Sequence, residues 1–139
     1  MKQRQGFTLV ELMVVAVIVA ILAAVAIPLM SANKKRAMAT EGEAGLGTIR
    51  SALRAMYAQT GAYDKDLNGN DIDDGSSPTN VPGIGSGDLD GKFFQEGDYE
   101  LTTLETTNYL LTATGNETND LDGVVITLDE AGDFVRMGL

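Results

Sequence analysis

The stretch Gly6-Phe-Thr-Leu-Val-Glu-Leu12 opens an apolar run that continues to Met30 and follows a short basic leader. Glu11 is the only charged residue between Phe7 and Met30. An ionised side chain inside a bilayer-spanning helix costs about 2.5–3.5 kcal/mol, so such a residue indicates a functional site with a partner of opposite charge. The candidate partner of Glu11 is a positive charge from another copy of the chain.

A cut after the basic leader, residues 1–6, would supply that positive charge. Cleavage between Gly6 and Phe7 leaves a free α-amino group four residues before Glu11 and on the same helical face. Between neighbouring helices staggered by about one turn, the amine of one copy can neutralise Glu11 of the next. The N-terminal helix is therefore predicted to be an assembly element.

The residues from Gly6 to Leu12, followed by an apolar stretch and Pro28, closely resemble the class III signal segment of type IV pilins and pseudopilins. The resemblance extends to about Ala37, roughly a quarter of the chain. It implies that a prepilin peptidase cuts after Gly6, that Phe7 becomes the methylated N-terminus, that Glu11 is the docking acid, and that Pro28 kinks the helix.

The resemblance also implies a function. A type IV pilus subunit is inserted in the bacterial inner membrane as a single-pass precursor, and an ATP-driven assembly platform then adds it to a helical homopolymer. The finished filament lies at the cell surface or in the periplasm and serves adhesion or motility. The alternative is a pseudopilin of a type II secretion system, but Ala62-Tyr63-Asp64 replaces the Tyr-Pro-Thr-x-x-x-Gly-Leu segment associated with its major subunit.

Three other interpretations of the apolar run compete with this one. A cleaved secretory signal needs a small-x-small site, which Ala24-Val-Ala26 offers, but a charge such as Glu11 has no purpose in a discarded segment. A plain membrane anchor needs about 20 apolar residues, which Leu12–Ala32 supplies, but it does not explain Gly6 or Glu11. A buried core helix is disfavoured because the run has no polar face.

Composition argues against an enzyme and against nucleic acid as a partner. The 139 residues include no cysteine and no histidine, which excludes a Ser-His-Asp triad, a thiolate nucleophile and an imidazole zinc site. From Met56 to Leu139 there are 17 acidic and three basic residues, a net charge of 3 − 17 = −14. Such a surface repels a phosphate backbone. The missing cysteines also remove the disulfide that many type IV pilins have near the C-terminus.

Hydrophobic periodicity predicts an α+β fold in which a long helix packs on a small antiparallel sheet. Leu46, Ile49 and Leu53 fall at helical spacing, and Gly61 is the predicted stop. The expected organisation begins with a leader (residues 1–6), a transmembrane or filament-core helix (7–32) and an amphipathic helix (33–60). An acidic loop region rich in Gly and Asn (61–98) and an antiparallel β-sheet (99–139) follow.

Two details of this organisation are predicted from residue type. Gly42, Gly45 and Gly47 each cost a helix about 1 kcal/mol relative to alanine, so we expect local loosening there. Segments rich in β-branched and aromatic residues, separated by turn residues, predict four strands. These strands are Tyr99–Glu105, Asn108–Thr114, Gly123–Leu128 and Phe134–Met137.

The acidic loop carries a partial calcium motif. Oxygen-bearing side chains alternate before Gly69, as in the first half of an EF-hand loop, but Gly75 stands where that loop needs glutamate. Loops of this composition also form turns without any metal. If calcium binds, the predicted ligands are Asp64, Asp66, Asn68 and one or both of Asp71 and Asp73. Asn116-Glu-Thr118 fits a glycosylation pattern that is frequent by chance, and we expect no modification there.

Overall fold

In the computed structural model, described over residues 6–139, one helix precedes four strands. The predicted leader lies outside the described residues except for Gly6. The elements are α1 Leu9–Thr60, β1 Tyr99–Leu104, β2 Tyr109–Thr114, β3 Val125–Asp129 and β4 Phe134–Met137, with short 3-10 turns at Pro78–Asn80, Glu96–Asp98 and Glu117–Asn119.

Helix α1 is assigned without interruption over 52 residues and contains Pro28 in its interior. It ends at Thr60, and Gly61 then takes a positive φ of 74° and donates its N–H to the Tyr57 carbonyl at 2.8 Å. This is a left-handed C-terminal cap, which glycine adopts at no steric cost. The predicted stop at Gly61 is confirmed.

Internal contacts divide the chain into two compact units. One contains the residues up to Lys34, and the other, called the head below, contains residues 35–139. The sheet belongs to the head and is an antiparallel meander in the order β1-β2-β3-β4. The predicted α+β fold is confirmed, and each strand boundary differs from its predicted position by two residues or fewer.

The core of the head forms between one face of α1 and one face of the sheet. Leu46, Ile49 and Leu53 are fully buried because their spacing of three and four places them on one side of the helix. Alternate strand residues such as Leu111 and Ile126 are fully buried on the facing side of the sheet. Each such side chain contributes about 1.5–3 kcal/mol by leaving water.

The glycines in α1 do not loosen it, so that prediction is wrong. A Cβ atom at Gly42 would lie 2.9 Å from the Phe94 ring, and one at Gly45 would overlap the Tyr99 hydroxyl. Two of the three glycines therefore allow aromatic side chains to pack directly on the helix backbone, and this packing offsets their low helix propensity. Burial, with Glu41 and Asp98 nearby, raises the pKa of Tyr99 to about 12, so its phenol stays neutral.

We expect Gly45→Ala and Gly47→Ala to change stability in opposite directions. At Gly45 the new methyl group forces Tyr99 to move, at a cost of about 1–3 kcal/mol. At Gly47 no atom lies within 4 Å of the new Cβ, so alanine should stabilise the helix by up to about 1 kcal/mol. Denaturant unfolding of the full chain in detergent checks this, and equal effects would contradict the packing role of Gly45.

Candidate functional site

The N-terminal half of α1 presents apolar side chains in all directions. Val10 is 68% exposed and Ile18 52% exposed, and within the described residues this helix is long and apolar enough to cross a membrane. A continuous apolar surface of this size on a protein marks a membrane or protein interaction site. The surface is therefore a candidate site for contact with a membrane or with another protein.

Glu11 forms a reciprocal cap with Thr8 at the start of this helix. The Thr8 backbone N–H and hydroxyl both lie 2.8 Å from Glu11 Oε2, and the Glu11 N–H donates to the Thr8 hydroxyl at 3.2 Å. Because α1 begins at Leu9, Thr8 is the N-cap and Glu11 the third helical residue, which defines a capping box. This role of Glu11 was not predicted, although Thr-x-x-Glu before an apolar run is its sequence signature.

The cap has two consequences for the predicted processing and docking residues. Gly6, Phe7 and Thr8 lie outside regular secondary structure, so the Gly6–Phe7 peptide bond precedes the helix. Within residues 6–139, the donors to Glu11 come from Thr8 alone and reach only Oε2. Phe7 is still joined to Gly6 and so has no free α-amino group to pair with Glu11, and Oε1 of Glu11 has no donor in the part of the chain that the structure describes.

The predicted calcium loop is held by its own hydrogen bonds. Asp66 Oδ1 accepts the backbone N–H groups of Asn68 and Asn70, each at 2.8 Å, and Asp66 Oδ2 accepts the Asn70 side-chain amide at 2.8 Å. Lys65 forms an ion pair with Asp71. These bonds form a closed turn of the Asx type. The side-chain amide and the backbone N–H of Asn70, with those of Asn68, lower the pKa of Asp66.

The predicted calcium ligands do not come together as a set. Asp64, Asp71, Asp73 and Asp74 line one open concavity, which Asp66 does not line. One oxygen of Asp64 accepts from Thr106 at 3.1 Å, while the other is buried without a partner. Among the described residues, no group of three or more acidic side chains is placed to hold a metal ion. The five predicted ligands are therefore not grouped around one point in the described residues, and calcium binding stays a prediction.

A second carboxylate, Glu41 of α1, ties the acidic loop region to the helix. Its Oε1 accepts the backbone N–H groups of Phe93 at 2.6 Å and Phe94 at 2.8 Å. Gly91 lies against this carboxylate, where a Cβ atom would overlap it. Partial desolvation raises the pKa of Glu41, but the N–H groups of Phe94, Phe93 and Lys92 outweigh it, and the net pKa lies below its ordinary value.

Strand β4 is joined to α1 by an ion pair between Arg136 and Glu43. The Arg136 Nη2 lies 3.0 Å from Glu43 Oε2, and Nε contacts the other oxygen, so the pair is bidentate. The hydrogen bond and charge of Arg136 lower the pKa of Glu43. Glu41 and Glu43 thus hold opposite parts of the head to one helix in a protein without disulfides.

The asparagine of the glycosylation pattern contacts the start of the sheet. The Asn116 side-chain nitrogen donates to Asp98 at 3.0 Å, and Asn116 is only partly exposed. One hydrogen of the nitrogen that would carry a sugar is therefore engaged, and the absence of modification stays a prediction.

Comparison with known proteins identifies the same N-terminal segment. The family model for the prokaryotic N-terminal methylation motif matches residues 1–27. A fimbrial protein of Neisseria meningitidis serogroup A is 31% identical over 128 residues, covering 90% of this chain and 65% of the relative. The type IV major pilin protein PilE of Neisseria gonorrhoeae is 33% identical over 116 residues, covering 84% and 59%. The chain thus spans less than two thirds of the length of these relatives.

The fold comparison agrees with the sequence comparison. The crystal structure of the non-core minor pilin PilV of Neisseria meningitidis matches with a TM-score of 0.50 and 20% identity, covering 76% of this chain and 88% of that one. A capped helix that starts at a methylation motif and packs on an antiparallel meander is the architecture of a pilin-like protein. The chain is thus similar to type IV pilins in its N-terminal motif and in its matches to a fimbrial protein and a type IV major pilin. These relatives are structural pilins, which supports the prediction that the chain is not an enzyme.

Acid should destabilise the head through Glu41 and Glu43. Both carboxylates have folded-state pKa values below their unfolded values, so their contribution is present above the unfolded pKa and is lost as pH falls through the folded one. We expect stability to decline from about pH 5 downward. Glu41→Gln should lower stability at neutral pH and make stability fall less steeply as pH decreases. Glu105→Gln, in the exposed β1–β2 turn, should leave both the stability and its pH dependence unchanged. Urea unfolding at several pH values checks this.

We expect Asp66→Ala to loosen the acidic loop whether or not calcium is present. Asp66→Ala removes the carboxylate oxygens that accept the hydrogen bonds from Asn68 and Asn70. Asp66→Asn keeps one oxygen and should therefore have a smaller effect. Hydrogen exchange at the Asn70 amide and the thermal midpoint report the change. A calcium-dependent rise in the midpoint that Asp73→Asn abolishes would restore the calcium hypothesis instead.

Proposed function

We propose that this protein is a structural subunit of a type IV pilus, cut between Gly6 and Phe7 and polymerised through the N-terminal half of α1. The observation that carries the proposal is the exposed apolar helix with a carboxylate in its first turn. In the membrane, lipid covers this helix; in a filament, the helices of neighbouring copies do so. The apolar surface is covered in both states, so the free-energy difference between the inserted monomer and the filament depends on Glu11.

Glu11 is the residue whose environment improves on assembly. Before docking, its only described partners are the Thr8 N–H and hydroxyl, both at Oε2. A neighbour's Phe7 amine would add a charge-assisted bond to Oε1 without breaking the cap. The inserted monomer thus keeps Glu11 partly satisfied, and the filament adds the counter-charge. Methylation of the amine leaves its positive charge in place.

Processing is supported by the conformation of the cleavage site. A peptidase needs an extended substrate, and residues 6–8 lie outside the helix because Thr8 fixes its start at Leu9. A prepilin peptidase, the inner membrane and a pilus assembly platform are the partners that this route requires. The precursor would be a single-pass protein of the bacterial inner membrane, and the product a filament at the cell surface.

The pseudopilin of a type II secretion system is the alternative, since it would use the same Gly6, Phe7 and Glu11. Deletion of the gene separates the two functions. Loss of long surface fibres in electron micrographs, with exoprotein export unchanged, supports a pilus serving adhesion or motility. Loss of export with no surface fibres supports the pseudopilin.

Glu11→Gln should be inserted and processed but should assemble poorly. The glutamine side chain still accepts from Thr8, so the helix start survives, but it cannot form an ion pair with the neighbour's amine. We expect filament yield to fall at least about tenfold, equivalent to about 1.4 kcal/mol per subunit contact. Sheared-fibre yield relative to processed monomer measures this.

Two controls make the result specific. Thr8→Ser keeps the capping hydroxyl and should assemble normally. Unchanged filament yield in Glu11→Gln would exclude the ion pair as the docking interaction. Mass spectrometry of the mature N-terminus tests the processing step separately, and the expected product begins at Phe7 with one added methyl group.

A further inference from the structure

A short basic run follows the apolar part of α1. Between Leu12 and Thr40 the charged residues are Lys34, Lys35 and Arg36, and there is no acid. Residues 41–139, in contrast, contain five basic and 19 acidic residues, a net charge of 5 − 19 = −14. The basic run is thus opposite in sign to the residues that follow it, and this change of sign points to a negatively charged partner.

Two cations of the run are accessible from outside the chain. Arg36 is exposed and Lys35 is partly exposed, and the residues one helical turn from Arg36 on each side are uncharged. Lys35 Nζ lies 3.4 Å from the carbonyl oxygen of Asp122, which is a neutral acceptor. The ion pairs that Lys65 and Arg136 form in the head involve neither cation. Lys35 and Arg36 can therefore contact an external anion.

The basic run directly follows a segment that is long enough to cross a bilayer. Leu12–Ala32 contains 21 uncharged residues, about 31 Å as a helix, and the hydrocarbon core is about 30 Å thick. Arg36 follows Ala32 by four residues, so its Cα lies within about 15 Å of that end whatever the path of the chain. Headgroups form a layer about 5–8 Å thick on each side, and a long cationic side chain can extend back to it.

The orientation of the proposed precursor makes this placement costly unless the cations have a partner. The basic leader would stay in the cytoplasm, so Lys35 and Arg36 would lie on the opposite side of the membrane. The positive-inside rule disfavours basic residues on that side. Anionic lipid headgroups are the charges that every inserted copy meets there, whereas an acidic surface of a second copy is met only on assembly. Lipid is therefore the partner that the position of the run favours.

We propose that Lys35 and Arg36 bind the phosphate of an anionic phospholipid headgroup in the leaflet next to the head. A guanidinium presents paired N–H donors that match two phosphate oxygens, and the lysine adds a second charge. An anionic bilayer surface repels the acidic residues 41–139, and the contact offsets this repulsion. The inference rests on the membrane-inserted state of the proposed function and adds a lipid partner to it.

The absence of tryptophan provides a direct test. Ala37→Trp, at an exposed position beside Arg36, gives the full chain a single fluorescent reporter. The chain is reconstituted sparsely in phosphatidylcholine bilayers with a minor fraction of phosphatidylglycerol, and one lipid or the other carries quenching bromine atoms near its headgroup. We expect phosphatidylglycerol to be enriched about fivefold around the reporter, the size expected for one cation at an anionic surface. The enrichment should fall as salt rises from about 0.01 M to about 0.15 M.

Matched variants show whether the basic run causes the enrichment. Arg36→Gln should reduce it several-fold, adding Lys35→Gln should lower it further, and Arg36→Lys should retain most of it. Arg54→Gln is the control, because it removes an exposed arginine about 27 Å further along the same helix and should leave the enrichment unchanged. Far-ultraviolet circular dichroism confirms equal folding.

The outcomes separate this inference from the proposed function. Equal quenching by the two lipids, or equal enrichment in Arg36→Gln and Arg54→Gln, would overturn the lipid contact alone. Displacement of the lipid by inorganic phosphate at constant ionic strength would assign the cations to free phosphate instead. Carbodiimide cross-links from Lys35 to a second copy, without lipid enrichment, would assign them to contact between copies. Quenching by neither lipid would mean that the chain does not enter the bilayer, which would contradict the proposed function as well.

Discussion

An apolar helix surface has to be covered, and the two halves of α1 meet this requirement differently. In the head, the sheet covers one face of the helix, and Leu46, Ile49 and Leu53 are completely buried there. In the first half no residue of the helix's most apolar window is buried within the described chain. In the proposed function lipid or other copies of the chain would cover that surface, so one half of α1 would depend on a second body.

The head stays folded without the disulfide that many type IV pilins have. Its irregular region, residues 61–98, is held by carboxylates that accept backbone N–H groups, with Glu41 joining it to α1 and Asp66 closing its first turn. Such bonds are stronger than neutral ones because the acceptor is charged. They also explain part of the acidic composition, since several acids act inside the loop rather than as a solubilising surface.

Regular elements were predictable from the sequence because they depend on local periodicity. All four strands and the Gly61 stop follow from alternation and turn residues, and they agree with the structure within two residues. Long-range contacts were not predictable in this way. The pairing of Glu41 with Phe93 and Phe94 joins residues more than 50 positions apart, and Gly45 is needed only because Tyr99 packs on it. The sequence alone does not distinguish a glycine that only lowers helix propensity from a glycine that permits close packing.

The Thr8–Glu11 cap could have been predicted, and it changes how the docking acid should be understood. A lone carboxylate in a membrane helix is costly unless it has a partner. The cap instead satisfies one oxygen locally and leaves the other without a donor among residues 6–139. Because the cap also fixes the helix start just after the predicted cleavage site, one side chain would link processing to assembly. In the proposed function the carboxylate shape serves the cap and its charge would serve docking, so a neutral isostere would separate the two roles.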